Sequence, residues 1–272
     1  MIKQSMKLLV IALIFAHNFC VFAQTEKEYY QKGNEYFKAG SYSEAVSEYK
    51  KALGINPDFA DAWYNMALAK TELQDYAGAI KDYDKTIGLS PSNADAYNNR
   101  GNLKFAMNNH IGAAEDFDMA IELKPDFALA YFNRGNVFYK TRNFRTAIED
   151  FTKVTQLEPG FFTAWLLRAN SYRELEMYEE ALSDYNTALM HSEETSIYTG
   201  RALCKYYLED LNGSISDFEK AIAIDNNYAD AYYLGALVKI EAGQTESACE
   251  DLKKALQLGI DKARDFIDEY CK

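Results

Sequence analysis

The side chains that most often perform catalysis are scarce in this sequence. Beyond residue 23 there are two histidines, His110 and His191, and both stand in segments predicted to be turns or loops. The sequence has no HExxH motif, no phosphate-binding glycine loop and no nucleophile elbow. Carboxylates are abundant, but the pattern places them on solvated helix faces. We therefore predict that the protein is not an enzyme and has no catalytic residues, metal site or cofactor.

Asparagine is the polar residue with the most regular spacing. One series, Asn65, Asn99 and Asn133, repeats every 34 residues. A second series, three places further along the repeated pattern, consists of Asn34, Asn102, Asn136 and Asn170. An amide side chain both donates and accepts hydrogen bonds, as a peptide backbone does, so such a row suits an extended chain of any sequence. The same spacing would also arise if these asparagines lay on a solvated helix face and were merely part of the repeat consensus, with no role in binding.

The elements that position these residues follow from a period in the sequence. The chain has four prolines, Pro57, Pro91, Pro125 and Pro159, and each comes 34 residues after the last. Each segment aligned on them contains two amphipathic helical patterns separated by a polar break. One such unit cannot bury its own apolar face, so stacked neighbours must supply the core. The predicted repeats are residues 26–59, 60–93, 94–127, 128–161, 162–194, 195–228 and 229–262.

Three columns of residues predict how the two helices of a repeat pack. A large aromatic stands near the start of each copy: Tyr29, Trp63, Tyr97, Tyr131, Trp165, Tyr198 and Tyr232. Four residues later comes a glycine or alanine, which lets two helix axes approach closely. A ring recurs in the second helix, with Leu252 in the last copy, and fills the space beside that crossing. Proline closes the second helix because it lacks the N–H that a further turn needs.

At these positions the chain resembles the tetratricopeptide repeat family, whose 34-residue pattern combines an aromatic, Leu-Gly, Tyr, Ala, Phe, Ala and Pro. The likeness covers nearly all of residues 26–262. It implies an all-α fold, a right-handed α-solenoid of seven helix pairs within a domain of residues 24–272. Residues 262–272 are predicted to add a capping helix, because Ala263, Phe266, Ile267 and Tyr270 share one helical face.

The resemblance also implies where a partner binds. In the family, the first-helix face that carries the two asparagine series lines a concave groove. Tyr64, Phe132 and Tyr139 would lie on or beside that groove as anchors. The family's clamp for a C-terminal carboxylate is not expected here, because the amides of that clamp are present and its cations are not.

Two columns of charged residues recur along the repeats, and the first of them departs from the family pattern. Arginine replaces the usual leucine before the small residue in four copies: Arg100, Arg134, Arg168 and Arg201. Aspartate recurs in the second helix: Asp82, Asp116, Asp150, Asp184, Asp217 and Asp251. We predict that these columns form ion pairs between helices and serve the stack rather than a ligand.

Residues 1–23 have the features of a secretory signal peptide. Lys3 and Lys7 precede an apolar run, and small residues near Ala23 suit a signal peptidase, so cleavage is expected after Ala23. The apolar run is about half of the ~20 residues that span a membrane. We expect an exported bacterial protein, periplasmic or secreted, with no membrane span in the mature chain.

Export would leave three cysteines, Cys204, Cys249 and Cys271, and so at most one internal disulfide. The turn between the last two predicted helices centres near Ile260, and Cys249 and Cys271 are equally distant from it. Equal offsets across a hairpin bring side chains level, which makes a disulfide geometrically reasonable. Two buried free thiols remain the alternative.

Charge and pattern together define the expected partner. The net charge is -12, which argues against nucleic acid. We expect a non-catalytic scaffold or adaptor that binds a peptide or protein segment in the groove. The alternatives are a small-molecule or glycan binding module, and an accessory subunit of an envelope enzyme or secretion complex.

Overall fold

The computed structural model describes residues 25–272, so the predicted signal peptide lies outside the described residues. The described part of the chain consists of fifteen α-helices without a strand, which confirms the all-α prediction. It divides between Asn108 and Asn109 into two compact units. The first unit contains α1 (Glu26–Lys38), α2 (Tyr42–Ile55), α3 (Ala60–Glu72), α4 (Tyr76–Leu89) and α5 (Ala94–Ala106). The second contains α6 (His110–Leu123), α7 (Ala128–Lys140), α8 (Phe144–Leu157), α9 (Phe162–Glu174), α10 (Tyr178–Leu189), α11 (Thr195–Tyr207), α12 (Leu211–Ile224), α13 (Ala229–Glu241), α14 (Thr245–Gln257) and α15 (Ala263–Tyr270).

Local chemistry sets where these helices begin and end. Thr25 starts α1 with a capping box, because its hydroxyl accepts from the Glu28 N–H while the Glu28 carboxylate accepts from the Thr25 N–H. Asp75 caps α4 by accepting from the Gly78 N–H at 3.0 Å. Each proline stands two residues after a helix end, as Pro57 does after Ile55.

The turn inside each helix pair has one backbone conformation. The second residue after the first helix takes a positive φ, as Gly40 does at 76° and Gln74 at 60°. The following N–H then reaches back to a carbonyl of the last helical turn, as from Asp75 to Lys70 at 2.9 Å. This is the Schellman closure of a helix. Glycine occupies the position in some copies, and larger side chains hold the same strained conformation in others.

The buried rings explain why the small column is small. Six rings of the second-helix column are at most 1% exposed: Tyr49, Tyr83, Phe117, Phe151, Tyr185 and Phe218. A Cβ atom added to Gly33 would lie 2.5 Å from Cε1 of Tyr49. One added to Gly135 would lie 2.8 Å from Cε1 of Phe151. Both distances are below van der Waals contact, so in these two copies the ring packs directly against the glycine, whereas other copies accommodate an alanine at this place.

The last helix closes the second unit. Ala263, Phe266 and Ile267 of α15 pack on a cluster that includes Leu252 and Ala255. Cys249 on α14 and Cys271 after α15 form a disulfide, with Cα atoms 5.6 Å apart. Cys204 is the free cysteine of the described residues and is fully buried. No helix between residues 25 and 272 is both long enough and apolar enough to cross a membrane.

Candidate functional site

In the first unit, asparagines and tyrosines form a chain of hydrogen bonds between successive helix pairs. Oδ1 of Asn34 accepts from the Tyr49 hydroxyl at 2.7 Å and from Nδ2 of Asn65 at 2.9 Å. Nδ2 of Asn65 also donates to the Tyr30 hydroxyl at 2.9 Å. Thus one amide series links the first helix of one copy to the first helix of the next. These contacts were not anticipated from the spacing of the asparagines.

The same link recurs one copy later in this unit. Nδ2 of Asn99 donates to the hydroxyl of Tyr64 at 3.0 Å, across a separation of 35 residues. Tyr64, predicted as a partner anchor, is half-buried and packs edge-on against Tyr83 at 5.8 Å between ring centroids. Asn102 lies on the same helix, one turn further, and is also half-buried. The Asn99–Tyr64 contact thus repeats the Asn65–Tyr30 contact one copy later.

At one place in this network of asparagines and tyrosines, two amide groups have no hydrogen-bond partner among the described residues. Among the described residues, Nδ2 of Asn34 has no acceptor and Oδ1 of Asn65 has no donor. A pocket of about 250 Å³ lies beside them and is lined by Asn34, Phe37, Lys38, Tyr49, Asn65 and Leu68. It offers one amide donor, one amide acceptor and an ammonium group between apolar walls. That set matches a peptide group flanked by an apolar side chain.

Burial keeps the tyrosines of this face in their neutral form. Desolvation raises the pKa of Tyr49 far above its usual value, the neighbouring Tyr30 adds to the rise, and the Asn65 amide opposes it. Desolvation likewise raises the pKa of Tyr64, with help from Asp95 and against the hydrogen bond from Asn99. Both hydroxyls therefore keep their protons at neutral pH and remain able to donate as well as accept.

In the second unit the predicted site residues differ from one another in the contacts that they make. Asn170 on α9 accepts from the Tyr185 hydroxyl at 2.6 Å, the counterpart of the Asn34–Tyr49 contact. Asn133 and Asn136 lie one turn apart on α7 and are half-buried. Phe132 packs on Phe161 at 4.6 Å and on Phe151 at 6.0 Å between ring centroids. Tyr139 packs edge-on against Phe144 at 5.6 Å.

The charged columns pair within the second unit as the sequence predicts. Arg168 forms a two-bond contact with the carboxylate of Asp184, at 2.6 and 2.8 Å. Arg201 does the same with Asp217, at 2.7 Å for both bonds. These aspartates are at most 4% exposed, so the pairs lie between helices and are not available to a ligand. Arg134 and Asp150 repeat the arrangement, at 2.9 and 2.6 Å.

A second pocket, lined by residues of α9, α10 and α11, was missed by the sequence analysis. Its volume is about 340 Å³, and it is lined by Arg173, Glu174, Glu176, Tyr178, Leu203 and Tyr207. The rings of Tyr178 and Tyr207 stack with centroids 4.6 Å apart and planes 11° apart. Nη2 of Arg173 donates to Oε1 of Glu174 at 3.2 Å. Comparison of the chain's own copies would have found this pocket, because Arg173 and Tyr207 break their columns.

Cys204, His110 and His191 belong to different segments of the described chain. No three His, Cys, Asp or Glu side chains between residues 25 and 272 are placed to hold a metal ion. Burial raises the pKa of the Cys204 thiol to about 11, with Arg173 opposing the rise, so the sulfur stays protonated and a weak nucleophile. His110 begins α6, and His191 lies in the loop after α10.

Solved structures share this fold. The chain is similar to YrrB, described as a TPR protein with an unusual peptide-binding site, with 25% identity and a TM-score of 0.61, covering 66% of this chain and 93% of that one. It is also similar to the C-terminal part of a TPR repeat-containing protein from Cytophaga hutchinsonii, with 18% identity and a TM-score of 0.74, covering 87% of this chain and 98% of that one.

One curated relative matches a short segment. An uncharacterized protein of Methanocaldococcus jannaschii is 44% identical over 41 residues, which is 15% of this chain. The match spans about half the length of that relative, 48%. The relative therefore supports a shared repeat rather than a shared whole protein.

Family models match the repeats directly. A model described as TPR repeat matches residues 33–74, 67–108 and 101–141. Models described as Tetratricopeptide repeat match residues 128–161 and 162–191. Together they cover residues 33–191 without a gap, more than half of the chain. With the helix pairs, the small-residue crossings and the buried ring column, these matches show that the chain belongs to the tetratricopeptide repeat family, a family of protein-interaction repeats.

Proposed function

We propose that the protein is a non-catalytic scaffold or adaptor that binds an extended peptide or protein segment on its asparagine-bearing face. The observation that carries the proposal is the pair of unused amide groups, Nδ2 of Asn34 and Oδ1 of Asn65, at the edge of the 250 Å³ pocket. A backbone N–H of a bound segment would donate to Asn65, and a backbone carbonyl would accept from Asn34. Phe37 and Leu68 would hold an apolar side chain.

Family and comparison support the same class of function. Tetratricopeptide repeat proteins are generally non-catalytic scaffolds, and YrrB is described as having a peptide-binding site. The chain's net charge of -12 makes nucleic acid an unfavourable partner. The two amide groups would bind the backbone of the segment and so would not select its side chains. Selectivity would come from the pocket walls and from Lys38, whose ammonium favours an acidic side chain or carbonyl groups in the bound segment.

The proposed location is the bacterial envelope or the extracellular medium. The pattern of residues 1–23 supports export, and the Cys249–Cys271 disulfide suits an oxidising compartment. Cell fractionation and N-terminal sequencing of the mature protein test this, with Gln24 as the expected first residue. A cytoplasmic protein that retains Met1 would contradict the proposal.

The binding face is tested by partner capture from the native envelope, with identification by mass spectrometry. Asn65→Leu removes the amide oxygen that would accept from a bound backbone N–H, and it copies the residue at this place of the fifth repeat, Leu167. Lys38→Glu reverses a surface charge, and the neighbouring copy already carries glutamate at this place, Glu72, so the fold should tolerate it. Lys140→Glu, the same change at the same place of a copy in the second unit, is the matched control.

The expected result is loss of the captured segment with Lys38→Glu and Asn65→Leu, and unchanged capture with Lys140→Glu. Thermal unfolding by circular dichroism checks that Lys38→Glu leaves the fold intact. If both first-unit variants capture the same partner as well as the unchanged protein does, the segment does not bind at the Asn34–Asn65 pocket and the proposal fails.

A further inference from the structure

The pocket of Arg173, Tyr178 and Tyr207 in the second unit differs in kind from the asparagine face. Its lining side chains belong to α9, α10, α11 and the turn between α9 and α10. Tyr207 is 56% exposed although its ring stacks on Tyr178. Tyr207 also packs edge-on against Tyr206, with ring centroids 5.3 Å apart, so part of the ring is covered and more than half of its surface remains exposed. Its outer surface is open to a ligand.

The chain's repeats serve as an internal reference for this pocket. At the place of Tyr207, the other copies carry small or charged residues: Lys38, Glu72, Ala106, Lys140, Glu174 and Glu241. At the place of Arg173, the other copies carry uncharged residues: Phe37, Thr71, Phe105, Tyr139, Tyr206 and Ile240. Stacking of helix pairs therefore requires neither side chain. Arg173 and Tyr207, which both differ from the residues of the other copies, line the same pocket. This points to a role other than holding the solenoid together.

The pocket combines donors and acceptors in near balance. Unlike the arginines of the ion-pair column, Arg173 makes one hydrogen bond within the described residues, to Glu174, and no two-bond contact with an aspartate. Nη2 of Arg142 lies 3.9 Å from Oε2 of the same Glu174. Glu176 supplies a second carboxylate at the pocket wall. The lining itself therefore carries one guanidinium and two carboxylates, so a strongly acidic ligand is not favoured.

A saccharide has the complementary surface. One face of a pyranose ring presents C–H groups, which pack on an aromatic ring, and its edge presents hydroxyls that both donate and accept. Guanidinium and carboxylate groups match neighbouring hydroxyls with paired hydrogen bonds. The volume of about 340 Å³ lies in the range of small-molecule pockets.

We propose that the pocket of Arg173, Glu174, Glu176, Tyr178, Leu203 and Tyr207 binds a neutral saccharide, with a sugar ring stacked on Tyr207. This site is separate from the peptide-binding face of the proposed function and uses none of its residues. The protein would then bring a protein segment and a glycan to the same chain.

The proposal is tested by isothermal titration calorimetry of the mature protein with neutral oligosaccharides: cellotriose, xylotriose, maltotriose and chitotriose. Tyr207→Glu places at this position the residue that three other copies carry, so the helix pair should still fold. Arg173→Thr likewise copies the residue of the second repeat, Thr71. Tyr270→Ala is the matched control, because Tyr270 is 40% exposed and stacks on Phe266 outside the pocket.

We expect the unchanged protein and Tyr270→Ala to bind at least one probe equally, and Tyr207→Glu and Arg173→Thr to bind it about tenfold more weakly or not at all. Absence of binding by the unchanged protein to all four probes overturns the proposal. Equal affinity of Tyr207→Glu and the unchanged protein overturns it as well. Saccharide binding without peptide capture would refute the proposed function alone, and peptide capture without saccharide binding would refute this inference alone.

Discussion

Breaking the disulfide between Cys249 and Cys271 should loosen the last helix of the second unit. The bond closes a loop with a sequence separation of 22 residues. Loop-closure entropy for that length amounts to about 3 kcal/mol. The helix that it holds, α15, is short, at 8 residues, and packs on one side through Ala263, Phe266 and Ile267. An isolated helix of that length is unstable, so the disulfide is the main constraint that keeps the apolar face of α15 on α14.

The effect should be local, because each repeat contacts only its neighbours. A loss of about 3 kcal/mol corresponds to about a hundredfold rise in the opening equilibrium of α15. Amide hydrogen exchange by mass spectrometry measures that equilibrium directly. Reducing the disulfide of the unchanged protein should accelerate exchange in residues 263–270. Removing the disulfide in the double variant Cys249→Ala, Cys271→Ser should accelerate it to the same extent without a reductant. Exchange in α1 to α5 of the first unit should stay unchanged.

Two results would refute this reasoning. If the reductant accelerated exchange equally in the double variant, the effect would not come from the disulfide. If exchange in residues 263–270 were the same with and without the bond, packing of Phe266 and Ile267 alone would hold the helix. Cys204→Ala provides the control for thiol chemistry, since Cys204 is buried and unpaired and its loss should not alter α15.

Three further predictions concern packing, backbone strain and charge. Gly135→Ala should destabilise the protein by about 1–3 kcal/mol in urea unfolding, because the added Cβ would lie 2.8 Å from the Phe151 ring. Gln74→Gly should stabilise it by about 0.5–1 kcal/mol, because the φ of 60° strains any residue but glycine. Burial alone would raise the pKa of Asp217, but hydrogen bonds from Arg201 and Lys205 outweigh burial, and the net pKa is lowered. A carboxylate with a lowered folded pKa adds stability above its unfolded pKa of about 4, and that stability disappears as the pH falls through the folded value. Asp217→Asn should therefore cost about 3 kcal/mol near pH 7 and progressively less below about pH 4.

Each of these predictions has a matched comparison. Gly54→Ala, in α2, adds a Cβ with no atom within 4 Å, so it should stabilise rather than destabilise, and equal losses at both glycines would contradict the packing argument. Gly40→Gln is the reverse of Gln74→Gly, at a φ of 76°, and should destabilise. A constant stability difference between Asp217→Asn and the unchanged protein from pH 7 to pH 3 would show that the ion pair is not its source.

Most of the fold could be predicted because its signals are local. Proline at fixed places ends the second helices, as at Pro57, and the apolar periodicity within 34 residues defines each helix. The Arg168–Asp184 pair was also predictable, since both residues belong to one copy and recur at a constant offset. The backbone turn could not be predicted at Gln74, where no glycine marks the positive φ.

The site depended more on contacts between copies. The series of asparagines was visible in the sequence, and the structure brings Asn34 and Asn65 into direct contact. Their hydrogen-bond partners were not visible, because Asn65 meets Tyr30 across 35 residues and neither side chain requires the other by type. Which amide groups remain for a ligand depends on those partners, so the Asn34–Asn65 pocket follows only from three-dimensional placement.

Spacing within one copy predicts that the chain repeats, that each repeat holds two helices, and which columns meet where those helices cross. Which polar groups are used between copies, and which stay open, follows only from three-dimensional contacts. The asparagines proved to be partly structural, and the Tyr178–Tyr207 stack appeared where no column predicted it. A polar group stays available to a ligand only where its neighbours in the fold do not already bond to it, and for Asn65 those neighbours lie on another repeat.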